Sequence, residues 1–170
     1  MIADYMLRLS PLGTEIGNRH LANVYGFNLS SILIKDRIRK EDIPEDLWSY
    51  IENKSYFEKP VYVCLKEVIE LIGACAVLRG KQKTADVVLN NLIHMREAEE
   101  KIRNLAAHSM ISITKELVRE KTGISVRELD RRIREAIVAS SNGHIKREHL
   151  DLYDSMNKRL LEKLEESFSL

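Results

Sequence analysis

From Val61 to Leu78 the chain reads V-Y-V-C-L-K-E-V-I-E-L-I-G-A-C-A-V-L, with Val61, Leu65, Val68, Ile72 and Cys75 at helical spacing on one side and further apolar residues around them. A helix that is apolar nearly all round belongs at the centre of a protein, so the other segments must cover it. They carry the pattern to do so as helices. No Val/Ile/Thr-rich alternating segment, internal repeat or low-complexity linker competes, and 170 residues contain only 7 Gly and 3 Pro. The expected class is all-α, a bundle of antiparallel helices joined by short turns.

The first stretch, Ile2 to about Val24, spaces Tyr5, Leu9, Leu12, Ile16 and Leu21 as a helix that Pro11, Gly13 and Gly17 should kink or break. Its abrupt start, with no initiating cap, is what a piece of a longer protein would show. From Phe27 to Lys40 the pattern allows either a short helix or an extended segment. Asp42-Ile43-Pro44-Glu45-Asp46 reads as a helix start, with Pro at the first helical position and Leu47, Trp48 and Ile51 as anchors.

After the central helix, Gly80 and Lys81-Gln82-Lys83 form a turn, and Thr84 can cap a helix running towards Lys121 and stopping at Gly123. Whether that stretch is one helix or two is open. Ser125-Val126-Arg127-Glu128 is a capping box for a helix to about Ala139. A last helix, Ile145 to about Phe168, repeats Leu150, Tyr153, Leu160, Leu161, Leu164 and Phe168 on one stripe.

A net charge of +1 excludes a general polyanion binder, so any nucleic-acid contact must come from a local basic patch. Cys64 and Cys75, in one apolar run, read as two small core residues in a reducing cytoplasm. No Cys/His cluster has metal-ligand spacing, which predicts no metal and no cofactor. No signal peptide and no apolar run of ~20 residues predicts a membrane association, so the expected location is cytoplasmic.

The chemistry-bearing stretch is Arg103-Asn104-Leu105-Ala106-Ala107-His108. Wound as a helix, residues 92–118 show two apolar faces. One carries Met95, Ala98, Ile102, Leu105, Ala106, Ser109 and Ile113; the other carries Asn104, Ala107, His108, Ile111 and Val118, with Met110 at its edge. The second face predicts a partner, with Ala107, Met110, Ile111 and Val118 at a dimer interface. Arg103 and His108 lie about 140° apart on one helix, so a two-fold contact would gather two copies of each better than one chain can. Asn104 and His108, at i and i+4, share a face.

His108 suits a general base, because its ordinary pKa lies near neutrality. Arg103 suits the charge building on a phosphate, and Asn104 can orient the imidazole or donate to phosphate oxygen. A plainer alternative makes Arg103 a surface ion-pair partner of Glu99 and His108 a buried core histidine. Lys101, Arg127, Arg131 and Arg134 are candidate RNA contacts, although Glu128, Asp130 and Glu135 alternate with the last three as a solvated mixed-charge face would. His20, His94, His144 and His149 have no partner spacing that suggests chemistry.

Arg and His with four residues between them, and Asn directly after the Arg, form the motif of the HEPN ribonucleases. The run from Met95 to Glu120 resembles the C-terminal HEPN domain of the CRISPR-associated, cyclic-oligoadenylate-activated ribonucleases of type III systems. Tyr5-Met6-Leu7-Arg8-Leu9-Ser10-Pro11, Glu120-Lys121-Thr122-Gly123 and Tyr153-Asp154-Ser155-Met156-Asn157 are loosely similar as well. The resemblance implies a homodimer whose paired motifs form a composite site for single-stranded RNA, leaving a 2′,3′-cyclic phosphate and a 5′-hydroxyl.

It also implies a separate Rossmann-like CARF sensor of cyclic oligoadenylate. The chain has no strand-rich half and no Gly-rich nucleotide loop. Residues 1–170 are therefore expected to be one HEPN ribonuclease domain in antiviral defence, with the sensor supplied in cis or in trans. A HEPN toxin paired with a nucleotidyltransferase antitoxin is the alternative, although such toxins usually carry Tyr where Met110 stands. A catalytically silent helical dimerisation module is another.

Overall fold

The apolar stretch that opens at Val61 turns helical only at Leu65. In the computed structural model, which describes residues 2–32, 37–38, 40–52, 61–108, 112–152, 155–156 and 159, two short strands, β1 (Arg37–Ile38) and β2 (Val61–Tyr62), pair antiparallel with Arg37 opposite Tyr62. Val-Tyr-Val favours extended backbone. Cys64 then starts the central helix, α4 (Leu65–Arg79): its backbone N–H and its thiol both donate to Glu67 Oε2, at 3.0 and 2.6 Å. Cys64 is therefore an exposed helix cap and not a core residue as expected, whereas Cys75 is buried; both thiols are free.

The N-terminal stretch breaks once, at Arg8, into α1 (Ile2–Leu7) and α2 (Leu9–Tyr25). Pro11 explains the place. Its ring would clash with the Leu7 carbonyl in a continuous helix, but in the first turn of a new helix its missing N–H has no intrahelical partner to lose. Gly13 and Gly17 do not interrupt α2; they let it close on α4. A Cβ on Gly13 would lie 2.8 Å from Leu65 Cδ2, and one on Gly17 would lie 2.2 Å from Val68 Cγ1.

Gly17→Ala is accordingly expected to destabilise the fold by about 1–3 kcal/mol through overpacking, even though Ala gains roughly 1 kcal/mol in helix propensity. The measurement is urea unfolding, with a lower midpoint at unchanged slope. A midpoint at or above that of the wild type would contradict the close approach.

Gly13 meets Leu65, Gly17 meets Val68 and Ile72, and the Arg79 guanidinium reaches the Tyr25 carbonyl at 3.2 Å, so α2 and α4 run in the same direction. The intervening chain allows this, because it carries a 3-10 turn (Leu29–Ser31), the β-ladder and α3 (Glu45–Ile51). Leu47, Trp48 and Ile51 are buried as expected, and Pro44 is the residue before α3, not its first. A tight turn at Gly80 and Lys81, both with positive φ (81° and 62°), reverses the chain into α5 (Gln82–His108). Lys81 Nζ fastens that turn to the Val24 carbonyl at 2.9 Å.

The long helix expected to reach Lys121 ends at His108. Residues 112–114 are not helical, and α6 (Lys115–Thr122) begins afresh. Thr114 caps it, its hydroxyl oxygen accepting from the Leu117 N–H at 3.2 Å, and Gly123 ends it at φ 76°. The local sequence Ser109-Met110-Ile111-Ser112-Ile113-Thr114 is poor in helix formers, and a capping Thr at its end favours a restart. The last helix among those with described bounds is α7 (Val126–Ser140). Ser125 accepts from the Glu128 N–H at 3.1 Å, but Glu128 turns its carboxylate to Arg131 and Arg132 and not back to the cap.

Asn23 Nδ2 donates to the Ser140 carbonyl, joining the C-terminal ends of α2 and α7. Among the main helices α2, α4 and α7 therefore point one way, and α5 packs antiparallel against all three. Their common core holds Leu9, Leu21, Val68, Leu71, Ile72, Leu92, Met95 and Leu129. The architecture is an all-α helical bundle. Residues 147–152 are helical, and most of the expected last helix lies outside the described residues.

Candidate active site

The C-terminal half of α5 has one buried side, with Met95, Ala98 and Ile102 in the core and Leu105 half-buried. Lys101, Arg103 and Asn104 are exposed on its outer side. Arg103 is held from within its own helix. Its Nη1 lies 3.2 Å from Glu99 Oε1, and the two side chains differ in setting: 56% of the arginine's is exposed against 6% of the glutamate's. Burial pushes the Glu99 carboxyl up from the usual carboxylate range, and the Arg103 charge opposes that shift.

The ion pair of the plainer alternative therefore exists, but it does not exhaust the arginine. The pairing engages one nitrogen of a fork with five N–H donors and leaves the exposed edge to solvent. Glu99 acts as an anchor from which the guanidinium projects. Beside it lies an open groove of about 190 Å³ lined by Ser10 at the start of α2, Cys64 and Lys66 at the start of α4, and Arg96, Glu99 and Arg103 on α5. The end of α5 thus lies among helix N-termini, whose dipoles favour negative charge.

His108 is the final residue of α5, one turn beyond Asn104. The side chains of Ala107 and His108, and all of Met110 and Ile111, lie outside the described residues. Val118 is the part of the expected dimer face that must be withdrawn: it is on α6 and fully buried in the chain's own core. Because residues 112–114 are not helical and α6 begins afresh, the winding that placed Val118 beside Asn104 and Ala107 does not carry through to it. Ile113, in the non-helical segment before α6, also packs against the core.

The candidate RNA-binding arginines separate into two kinds. Arg131 is clasped by Glu128 and Glu135, and Arg134 Nε lies 2.9 Å from Asp130 Oδ2. Both belong to the mixed-charge face that the alternating sequence suggested. Arg127, at the start of α7, is exposed and in no ion pair among the described residues. It lines a wider groove of about 520 Å³ with Tyr5, Val126 and Asp130, together with Lys115, Glu116 and Arg119 of α6. Lys115 and Arg119 were not anticipated. Their i, i+4 spacing within a short segment carrying its own N-cap was the available signal, and reading α5 as continuing through it hid that signal.

No described helix is long and apolar enough to cross a membrane. A family model described as the Cas_Csm6 HEPN domain matches residues 1–161. No curated protein and no solved structure matches the chain.

Proposed function

Since the chain belongs to the Cas_Csm6 HEPN domain family, a CRISPR-associated HEPN ribonuclease family, we propose that it is a metal-independent endoribonuclease acting on single-stranded RNA in type III CRISPR antiviral defence in the cytoplasm. The observation that carries this reading is the end of α5. There Arg103 projects from a buried glutamate next to exposed Asn104, one turn before His108.

In the proposed reaction His108 takes the proton of a ribose 2′-hydroxyl as that oxygen attacks the adjacent phosphorus. The bond from phosphorus to the 5′-oxygen breaks, and the leaving oxygen takes a proton from the second histidine of a dimer. A 2′,3′-cyclic phosphate and a 5′-hydroxyl remain. Arg103 and Asn104 donate to the phosphate oxygens, where charge builds in the transition state. Two histidines in one cleft titrate together, so base and acid are roles of the pair. The divergence of Arg103 and His108 by about 140° around one helix is the reason for a composite site in two copies. With Val118 withdrawn, Ala107, Met110 and Ile111 are the residues offered for the interface. The cyclic-oligoadenylate sensor is supplied in cis or in trans.

The test is incubation with an end-labelled, unstructured RNA and with its 2′-deoxy counterpart, in the presence of EDTA. The expected result is cleavage of the RNA alone, to cyclic-phosphate ends, with specific activity falling as the protein is diluted below its dimerisation range. Cleavage of the deoxy strand, or loss of all activity to EDTA, would overturn the mechanism.

A further inference from the structure

We propose that the groove between α1, α6 and α7 is a binding track for the phosphate backbone of the single-stranded RNA, with Lys115, Arg119 and Arg127 as the cations that hold it. This rests on the ribonuclease reading above. The three cations converge on one groove of about 520 Å³, and among the described residues none of them is in an ion pair. That sets them apart from Arg131 and Arg134, whose charges are taken up by carboxylates of their own helix.

Two carboxylates, Glu116 and Asp130, share the groove with the three cations, so its lining keeps a net positive charge. Asp130 is moreover engaged by Arg134 at 2.9 Å. Tyr5 and Val126 form the apolar part of the lining, a surface on which a base can lie while its phosphate meets a cation. Lys115 follows His108 by a short connection and α6 packs against α5, so the groove is continuous in chain terms with the end of the motif helix. A net charge of only +1 makes such a local track necessary for any chain of this composition that binds RNA.

The experiment uses a fluorescent, unstructured 2′-O-methyl RNA, which cannot be cleaved at the 2′-oxygen, and follows binding to the full chain by anisotropy over a range of salt. The triple variant Lys115→Ala, Arg119→Ala, Arg127→Ala is expected to bind at least about tenfold more weakly and to show a shallower salt slope, by roughly 0.7 for each phosphate that is no longer neutralised. Lys115 and Arg127 sit at helix N-termini, where a positive charge opposes the dipole, so their removal does not threaten folding. Arg131→Ala, which leaves the Arg134–Asp130 pair in place, is expected to bind as the wild type does.

In cleavage assays the triple variant should raise KM and leave kcat unchanged. Wild-type binding no tighter than that of the triple variant would overturn the track, whether or not RNA is cut. Track-dependent binding by a wild-type protein that cuts no RNA would instead overturn the ribonuclease reading and leave the track standing.

Discussion

His108→Ala is expected to lower cleavage of single-stranded RNA by about 10²–10⁴-fold, the range for losing a positioned acid or base, with helix content and oligomeric state unchanged. Arg103→Ala should cost a comparable factor, about 10²–10³, as the loss of a charged donor to the reacting phosphate. That variant carries a confound which the ion pair with Glu99 makes explicit: it strips the partner from a carboxylate that is 6% exposed. Destabilisation of about 1–2 kcal/mol is expected from that cause alone.

Arg103→Ala combined with Glu99→Gln separates the two effects. The added change removes the unpaired charge and should restore stability without restoring cleavage. Single-turnover rates and urea midpoints, measured on all three proteins, check this. If Arg103→Ala and His108→Ala both stay folded and dimeric and cleave as well as the wild type, the site assignment is wrong and the chain is better read as a silent dimerisation module.

The pH dependence of stability should be dominated on the acid side by a residue outside that site. His20 is fully buried in α2, packed edge-on to the Tyr25 ring with centroids 5.4 Å apart, and neither ring nitrogen meets a hydrogen-bond partner among the described residues. Burial, with a smaller contribution from the Lys81 charge, lowers its pKa from the ordinary 6.5 to about 4. In the unfolded chain His20 takes up its proton near pH 6.5, whereas the folded chain resists until about pH 4.

Between those values the unfolded state binds more protons, so stability rises with pH across the window. It is fully present above pH 6.5 and is lost as the pH falls towards 4. The loss attributable to His20 approaches about 3 kcal/mol at the lower limit. His20→Phe keeps a ring against Tyr25 and removes the titration. Its stability should therefore fall less than the wild type's by about that amount between roughly pH 7 and pH 4, as read by urea unfolding. Parallel pH profiles for the two proteins would show that His20 is solvated or hydrogen-bonded.

Much of the bundle is legible in the residues alone. Helical spacing marks the central apolar helix, the Ser125 cap and the Leu47, Trp48 and Ile51 anchors, because each is a local pattern that holds whatever packs against it. What fails is local evidence with a non-local answer. Gly13 and Gly17 look like breaks until Leu65 and Val68 stand against them. Val61 and Tyr62 read as helix until Arg37 and Ile38 offer a strand. The candidate site divides in the same way. Arg103 and Asn104 are identifiable from the motif and are exposed where it puts them, whereas Val118 belongs to a second face only if α5 continues.

Periodicity and a short motif are properties of neighbouring residues, and on those the sequence alone determined the all-α class, the family and the residues proposed for chemistry. The direction in which helices run, and which charges remain unpaired, depend on residues far apart in the chain. Only the tertiary structure could therefore decide that α2, α4 and α7 turn their N-termini towards the end of α5. It also decided that Glu99 anchors Arg103 from inside the core, and that Lys115, Arg119 and Arg127 meet in one groove while Arg131 and Arg134 are neutralised on their own helix.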